Sequence, residues 1–175
     1  MDTLLAALHA VAWAVYVGGS ITMEWVLRYA QRTMPPSQVG VVCKNAGTRY
    51  RWFALASLSV IGVTGLAMLL RLSDADLAAR PGAPSLSLDD AYGRTMLLLG
   101  IGWLALFATV AAMAFWLHPA QRKRSRPDMT SEAIAAERQR IGRAIKHMDR
   151  ALKFELVVSI LCIGIAASLR NGGLI

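Results

Sequence analysis

Four long apolar stretches divide this chain, at about residues 4–27, 52–70, 95–117 and 154–170. An α-helix rises 1.5 Å per residue, so roughly 20 residues cross the ~30 Å hydrocarbon core of a bilayer. The stretches do not alternate polar and apolar positions, and they are too long for the strands of a membrane barrel. We therefore predict four transmembrane helices.

The charges of the connections predict how these helices are oriented. Residues 28–51 hold five Lys or Arg and no acid, and residues 118–153 hold ten against four acids. Residues 71–94 hold four acids and three bases. Basic connections stay in the cytoplasm, so residues 71–94 and both termini are predicted on the outer, periplasmic side of a bacterial inner membrane.

The second basic connection has a helical pattern of its own. Apolar residues recur at spacings of three, four and seven, and no proline follows Pro127 before the fourth stretch. The members of this stripe are Ile134, Ile141, Ile145, Met148 and Leu152. The predicted fold is an all-α, four-helix transmembrane bundle, one membrane domain over residues 1–175, with a cytoplasmic amphipathic helix extending the fourth span.

The overall composition supports a lipid environment. Of the residues, 55% are hydrophobic and only 17% charged, whereas soluble domains are nearer 25% charged. The net charge of +8 does not indicate a nucleic-acid partner, because the bases lie between apolar runs. The expected partner is the bilayer, with a homo-oligomer or a larger membrane complex as further hypotheses.

The first span carries an inward-facing polar stripe. Steps of three and four from His9 reach Trp13, Tyr16 and Ser20, and then Met23 or Glu24. Ionisable groups are costly in lipid, so this face is predicted to point into the bundle.

Two methionines are predicted at the same depth as this histidine. Met68 ends the second span and Met96 begins the third, both in the outer leaflet. An imidazole with two thioethers is a soft donor set that suits Cu(I). The competing interpretation is that the methionines fill gaps in apolar packing and that His9 is a structural histidine.

Two acidic residues lie near the inner ends of their spans. Glu24 and Glu155 have Arg28 and Lys153 nearby, so they either form interfacial ion pairs or mark the inner end of a pathway. Glu155, Ser159 and Cys162 share one helix face, which makes Cys162 a buried thiol.

Several short motifs resemble the copper-resistance protein D (CopD-like) membrane domain. They are ALHAVAWAVYVGGSI around His9, RYRWFALASLSVIGVTGL in the second span, YGRTMLLLG in the third, and Lys153-Phe-Glu-Leu before the fourth. Tyr16 stands where the first motif of the family has Trp. The related HemJ-type proteins also carry an early His, and the Lys that often follows the third motif is replaced here by Leu99 and Gly100.

The resemblance implies copper homeostasis, meaning copper binding or transport across the inner membrane. His9 alone matches a family position expected to bind, whereas Met68 and Met96 come from the topology. The alternatives are a haem b redox protein with His9 as axial ligand, and an accessory subunit of a larger complex. With no nucleotide-binding motif and no nucleophile–base pair, an enzymatic role would need haem.

Overall fold

The chain forms long helices, and a computed structural model describes residues 2–72, 77, 85–117 and 130–174. In the described residues, the α-helices are α1 (Asp2–Ile21), α2 (Arg28–Thr33), α3 (Pro36–Leu70), α4 (Ala91–Ala112) and α5 (Ser131–Ser168). Wider π-helical stretches follow α1 and α4, at Thr22–Leu27 and Met113–Leu117, and a 3-10 turn at Leu169–Asn171 follows α5. The described residues contain no strand.

Successive long helices run antiparallel. Arg51 near the middle of α3 donates to the carbonyl of Ala114 after α4, at 3.3 Å. The backbone N–H of Leu174 reaches back to the Thr95 hydroxyl at the start of α4, at 3.1 Å. We call the end of the bundle with both chain termini the termini side, and the end with residues 28–51 and 130–153 the basic side.

Among the residues that the structure describes, four helical segments are long and apolar enough to cross a membrane. They are Thr3–Ala30, Asn45–Leu70, Ala91–Trp116 and Lys146–Asn171. Large apolar side chains cover their outer faces, among them Leu4, Val63 and Ile160. Because water would penalise such a surface and lipid would not, the chain is a multi-pass membrane protein, as its sequence predicts.

Exposed tryptophans mark one boundary of the apolar surface. Trp25, Trp52 and Trp116 lie near the basic-side ends of their spans and expose more than half of their area. The ring of Trp52 meets Phe115 edge to face, and the Arg51 guanidinium lies 5.2 Å from the Trp52 ring. Amphipathic rings of this kind favour the level of the lipid headgroups.

The centre of the bundle is small and tightly packed. Leu58 and Leu106 are fully buried, and the Trp103 indole donates to the carbonyl of Leu58 at 2.9 Å. A Cβ at Gly62 would collide with the Trp103 ring, so this position of α3 requires glycine for α4 to approach.

The basic side is more helical than its charges alone suggest. α3 begins at Pro36, so much of the predicted connection 28–51 continues the helix of the second span. Proline suits the first helical turn because its missing N–H would have no partner there. α5 is continuous from Ser131 to Ser168, which confirms the predicted extension of the fourth span.

Parts of the predicted basic connection lie outside the described residues. They include His118, the run from Arg122 to Arg126, and the side chains of three stripe members, Ile134, Ile141 and Ile145.

Candidate functional site

His9 is held between α1 and α3 by two hydrogen bonds. Its Nδ1 lies 2.9 Å from the Thr64 hydroxyl, and the Trp13 indole donates to its Nε2 at 3.2 Å. A Cβ at Gly65 would come within 3.2 Å of the imidazole Cε1, so the ring fills the space that this glycine leaves. The polar stripe predicted on α1 therefore points inward at His9.

These contacts assign the hydrogen on the imidazole. An indole N–H only donates, so Nε2 must offer its lone pair to Trp13. The ring hydrogen then lies on Nδ1 and is donated to Thr64. The Thr64 hydroxyl in turn donates a hydrogen bond to the carbonyl of Val60, at 2.6 Å. His9 is thus a neutral imidazole with an unprotonated Nε2.

The two predicted methionine ligands lie toward the termini side of this histidine. Met68 follows Thr64 by one turn of α3, which is roughly 6 Å of helix rise, and its side chain is partly buried. Met96 follows Thr95 on α4 and is also partly buried. Their participation in a metal site stays a prediction.

Metal and haem ligation can be compared with this geometry. Within the described part of the chain, no three His, Cys, Asp or Glu residues converge to hold a metal ion. A haem iron would need a free His9 nitrogen and room for a porphyrin beside it. Both nitrogens are hydrogen-bonded, so iron at Nε2, like any metal ion there, would have to replace the Trp13 hydrogen bond, and haem ligation stays a prediction.

A second buried polar cluster lies closer to the basic side. Glu155 on α5 is completely buried, and its Oε2 lies 3.0 Å from the Tyr50 hydroxyl of α3. The Tyr50 hydroxyl lies 2.8 Å from that of Ser20 on α1, which is also 3.1 Å from the carbonyl of Tyr16. This cluster, Glu155, Tyr50, Ser20 and Tyr16, is called the carboxyl cluster below.

Two atoms of the carboxyl cluster have no hydrogen-bond partner among the described residues. They are the hydroxyl oxygen of Tyr16 and Oε1 of Glu155, both fully enclosed. The Tyr16 hydroxyl lies near Ser159 and Glu155 without an acceptable hydrogen-bond geometry to either. Unpaired buried polar atoms are rare, and each asks for a reason.

The thiol between the two polar groups is also enclosed. Cys162 is buried, and its Sγ fills the space beside Gly102 of α4. It lies on the same face of α5 as Glu155 and Ser159, as the sequence predicts.

The other buried acid has an ordinary ion-pair partner. Glu24 lies in the π-helical stretch after α1, with Oε2 3.0 Å from Nη2 of Arg28. Arg28 also pairs with Asp149 of α5, and Lys153 lies 3.4 Å from the same carboxylate. The interfacial ion-pair interpretation therefore applies to Glu24. Glu155 is in no ion pair with the residues that the structure describes.

Acidic groups border the termini side. Asp90 caps α4, accepting from the backbone N–H of Tyr92 at 3.3 Å and from that of Ser85. The Ser85 contact is the main reason why the pKa of Asp90 lies below its usual value. Asp90 is thus a carboxylate at neutral pH, next to Asp89.

Two residues that hydrogen-bond to His9 and Glu155 were not predicted from the sequence. Tyr50 stands between Arg49 and Arg51, where the charges indicate solvent, and Thr64 stands in an apolar run. Each lies on the buried face of α3 with Ser57 and Ile61, and that face is the only sequence signal that could have found them.

Comparisons of the chain with protein-family models, curated proteins and solved structures gave no match.

Proposed function

We propose that the protein serves copper homeostasis, binding Cu(I) in the half of the bundle near its termini as cargo for storage, delivery or passage. His9 Nε2 is the first donor, and the thioethers of Met68 and Met96 are the co-ligands. The proposal includes the orientation deduced from the charges, with the termini side facing the periplasm of an inner membrane.

The observation that carries this proposal is the pair of hydrogen bonds at His9, which places the ring hydrogen on Nδ1. Metal-binding histidines commonly donate their second ring N–H to a fixed acceptor, which orients the ring and leaves the other nitrogen free to coordinate. Thr64 is such an acceptor, so Nε2 is the nitrogen available to a soft cation. Its present partner is an indole N–H at 3.2 Å, a neutral hydrogen bond that a metal bond would replace.

The charges at the termini side support entry from that side. Asp89 and Asp90 lie at the start of α4, before the span that carries Met96. Carboxylates at a channel or site entrance raise the local concentration of cations. A cation arriving there would meet the soft donors of the same half of the bundle first.

Titration of the reduced, detergent-solubilised protein with Cu(I) against a chromophoric chelator tests the proposal. His9→Ala should weaken binding at least about tenfold, a loss that even indirect ligand support can produce. Trp13→Phe should strengthen it by roughly fivefold, because it removes a competing hydrogen bond of about 1 kcal/mol.

The methionine ligands have a matched control in the same chain. Met68→Leu and Met96→Leu should each weaken binding, whereas Met113→Leu, a buried thioether near the basic side, should leave it unchanged. Wild-type affinity in His9→Ala would rule out this site. An absorption spectrum of the same preparation tests the haem b alternative.

A further inference from the structure

We propose that Glu155 binds an exchangeable proton inside the bundle, reached from the basic side along the face of the first span that carries Ser20 and Glu24. This site is separate from the copper site, and its test contains no metal, so the two proposals fail independently.

Counting hydrogens in the carboxyl cluster gives the first argument. Three contacts of hydrogen-bond length run in series from Glu155 to Tyr50, to Ser20, and to the carbonyl of Tyr16. Each bond needs one hydrogen, and the Tyr50 and Ser20 hydroxyls supply only two. An ionised Glu155 would leave one contact without a hydrogen. A protonated carboxyl supplies the third, donating to Tyr50, which donates to Ser20, which donates to the carbonyl.

The surroundings of the carboxyl give the second argument. A buried carboxylate in lipid is tolerated when a cation or several donors compensate its charge. Glu24 meets this condition through Arg28, whereas Glu155 has a single hydroxyl contact and no cation among the described residues. Protonation removes the charge and completes the hydrogen-bond series at once.

Within the described ranges, the other titratable side chains near Glu155 carry no positive charge. Tyr16 reaches it from α1 and Tyr50 from α3, while Cys162 lies on its own face of α5. In α4, the ionisable residues are Tyr92 and Arg94, both in the first turn at the opposite end of the bundle. The cluster is therefore neutral as a whole when Glu155 holds its proton.

The route to the basic side follows one face of the first span. Ser20 and Glu24 are four residues apart, and Arg28 links Glu24 to Asp149, whose side chain is 40% exposed. The π-helical stretch Thr22–Leu27 places Glu24 on this route, and such stretches often occur at functional sites. The unpaired Tyr16 hydroxyl and Glu155 Oε1 provide two partners for a water molecule that accompanies the proton.

Infrared spectroscopy of the protein in lipid nanodiscs tests the site directly. At neutral pH we expect the C=O stretch of a protonated carboxylic acid, which Glu155→Gln abolishes. Glu24→Gln should preserve the band, because Glu24 lies on the route but outside the hydrogen-bond series of Glu155. Tyr50→Phe should shift the band to higher frequency, because the carboxyl O–H loses its acceptor.

Transfer to D2O tests exchange and route. The wild-type band should shift on deuteration of the folded protein, and Glu24→Gln should slow this shift while keeping the band. Circular dichroism verifies that every variant is folded. Absence of the band in the wild type, or its persistence in Glu155→Gln, overturns the proton site. An unchanged rate of deuteration in Glu24→Gln overturns the route.

Discussion

The two halves of this bundle bury their polar groups in opposite ways. Near the termini, Trp13, His9 and Thr64 form a series in which every donor has an acceptor, the Thr64 hydroxyl having the carbonyls of Val60 and Ile61. Near the basic side, the three contacts that run from Glu155 to the Tyr16 carbonyl share only the two hydroxyl hydrogens of Tyr50 and Ser20, and two atoms of the carboxyl cluster are unpaired within the described chain. The first group is complete without a ligand, whereas the second would gain its missing hydrogen from the proton proposed above and would still leave two atoms for a water molecule.

This difference separates two kinds of binding site. A satisfied group must give up a hydrogen bond before it can bind anything, so its ligand has to form a stronger bond, as a metal ion does with imidazole. An unsatisfied group gains hydrogen bonds on binding, so a proton and a water molecule suffice. The variants below test this distinction, beginning with the largest expected effect.

Removing the carboxyl should affect stability most. Glu155→Ala leaves a cavity and deprives Tyr50 of its partner, for a cost of roughly 3 kcal/mol. Glu155→Gln should cost less than about 1 kcal/mol, because its amide can still donate to Tyr50. Thermal unfolding in one detergent measures both, and the lipid-facing Val157→Ala serves as control. Equal losses in Ala and Gln variants would contradict the proposed neutral hydrogen-bond series.

Breaking the complete group should have a smaller effect. Thr64→Val removes the acceptor of the His9 Nδ1 hydrogen and should cost about 1–2 kcal/mol, since the imidazole is only half-buried. Thr109→Val is the matched control, because Thr109 donates to Ala105 in its own helix. If the two threonine variants unfold at the same temperature, the cross-helix bond contributes nothing.

The cap of α4 should give the smallest effect, and one that depends on pH. The pKa of Asp90 in the folded protein lies below its ordinary value of 3.8. The carboxylate therefore stabilises the fold above that pH, and the contribution disappears as the pH falls through the lower, folded pKa. Asp90→Ala should lower the unfolding temperature slightly at neutral pH.

The same comparison at acidic pH isolates the cap. The wild type should approach Asp90→Ala as Asp90 becomes protonated, whereas Asp89→Ala should stay close to the wild type at neutral pH because Asp89 does not cap the helix. A difference between wild type and Asp90→Ala that grows on acidification would contradict this explanation.

The fold was more predictable than the contacts between its helices. The length and polarity of each span are local properties, so four helices and the inward face of His9 follow directly from the sequence. The partner of Glu155 depends on how α3 is rotated and shifted against α5, which no single helix determines. Tyr50, between two arginines, therefore had the pattern of a headgroup residue, although its hydroxyl lies inside the bundle.

The copper hypothesis also has one part that the sequence predicts and one part that depends on contacts between side chains. The topology predicts that His9, Met68 and Met96 share one half of the bundle, and the neighbouring position of Thr64 on α3 agrees with that depth for His9. The chain alone gave no indication that Trp13 would occupy Nε2. That contact depends on the rotamers of two side chains one turn apart, which the spacing allows but does not require.

The unbroken length of α5 has a mechanical consequence. Its 38 residues span roughly 57 Å, and they join the segment beyond the membrane to Glu155 and Cys162 without a hinge. A partner or antibody fragment that tilts the exposed end of α5 would move the buried Glu155 carboxyl relative to the Tyr50 hydroxyl. Force applied outside the bilayer would then change the distance between Glu155 Oε2 and the Tyr50 hydroxyl, which is 3.0 Å in the structure.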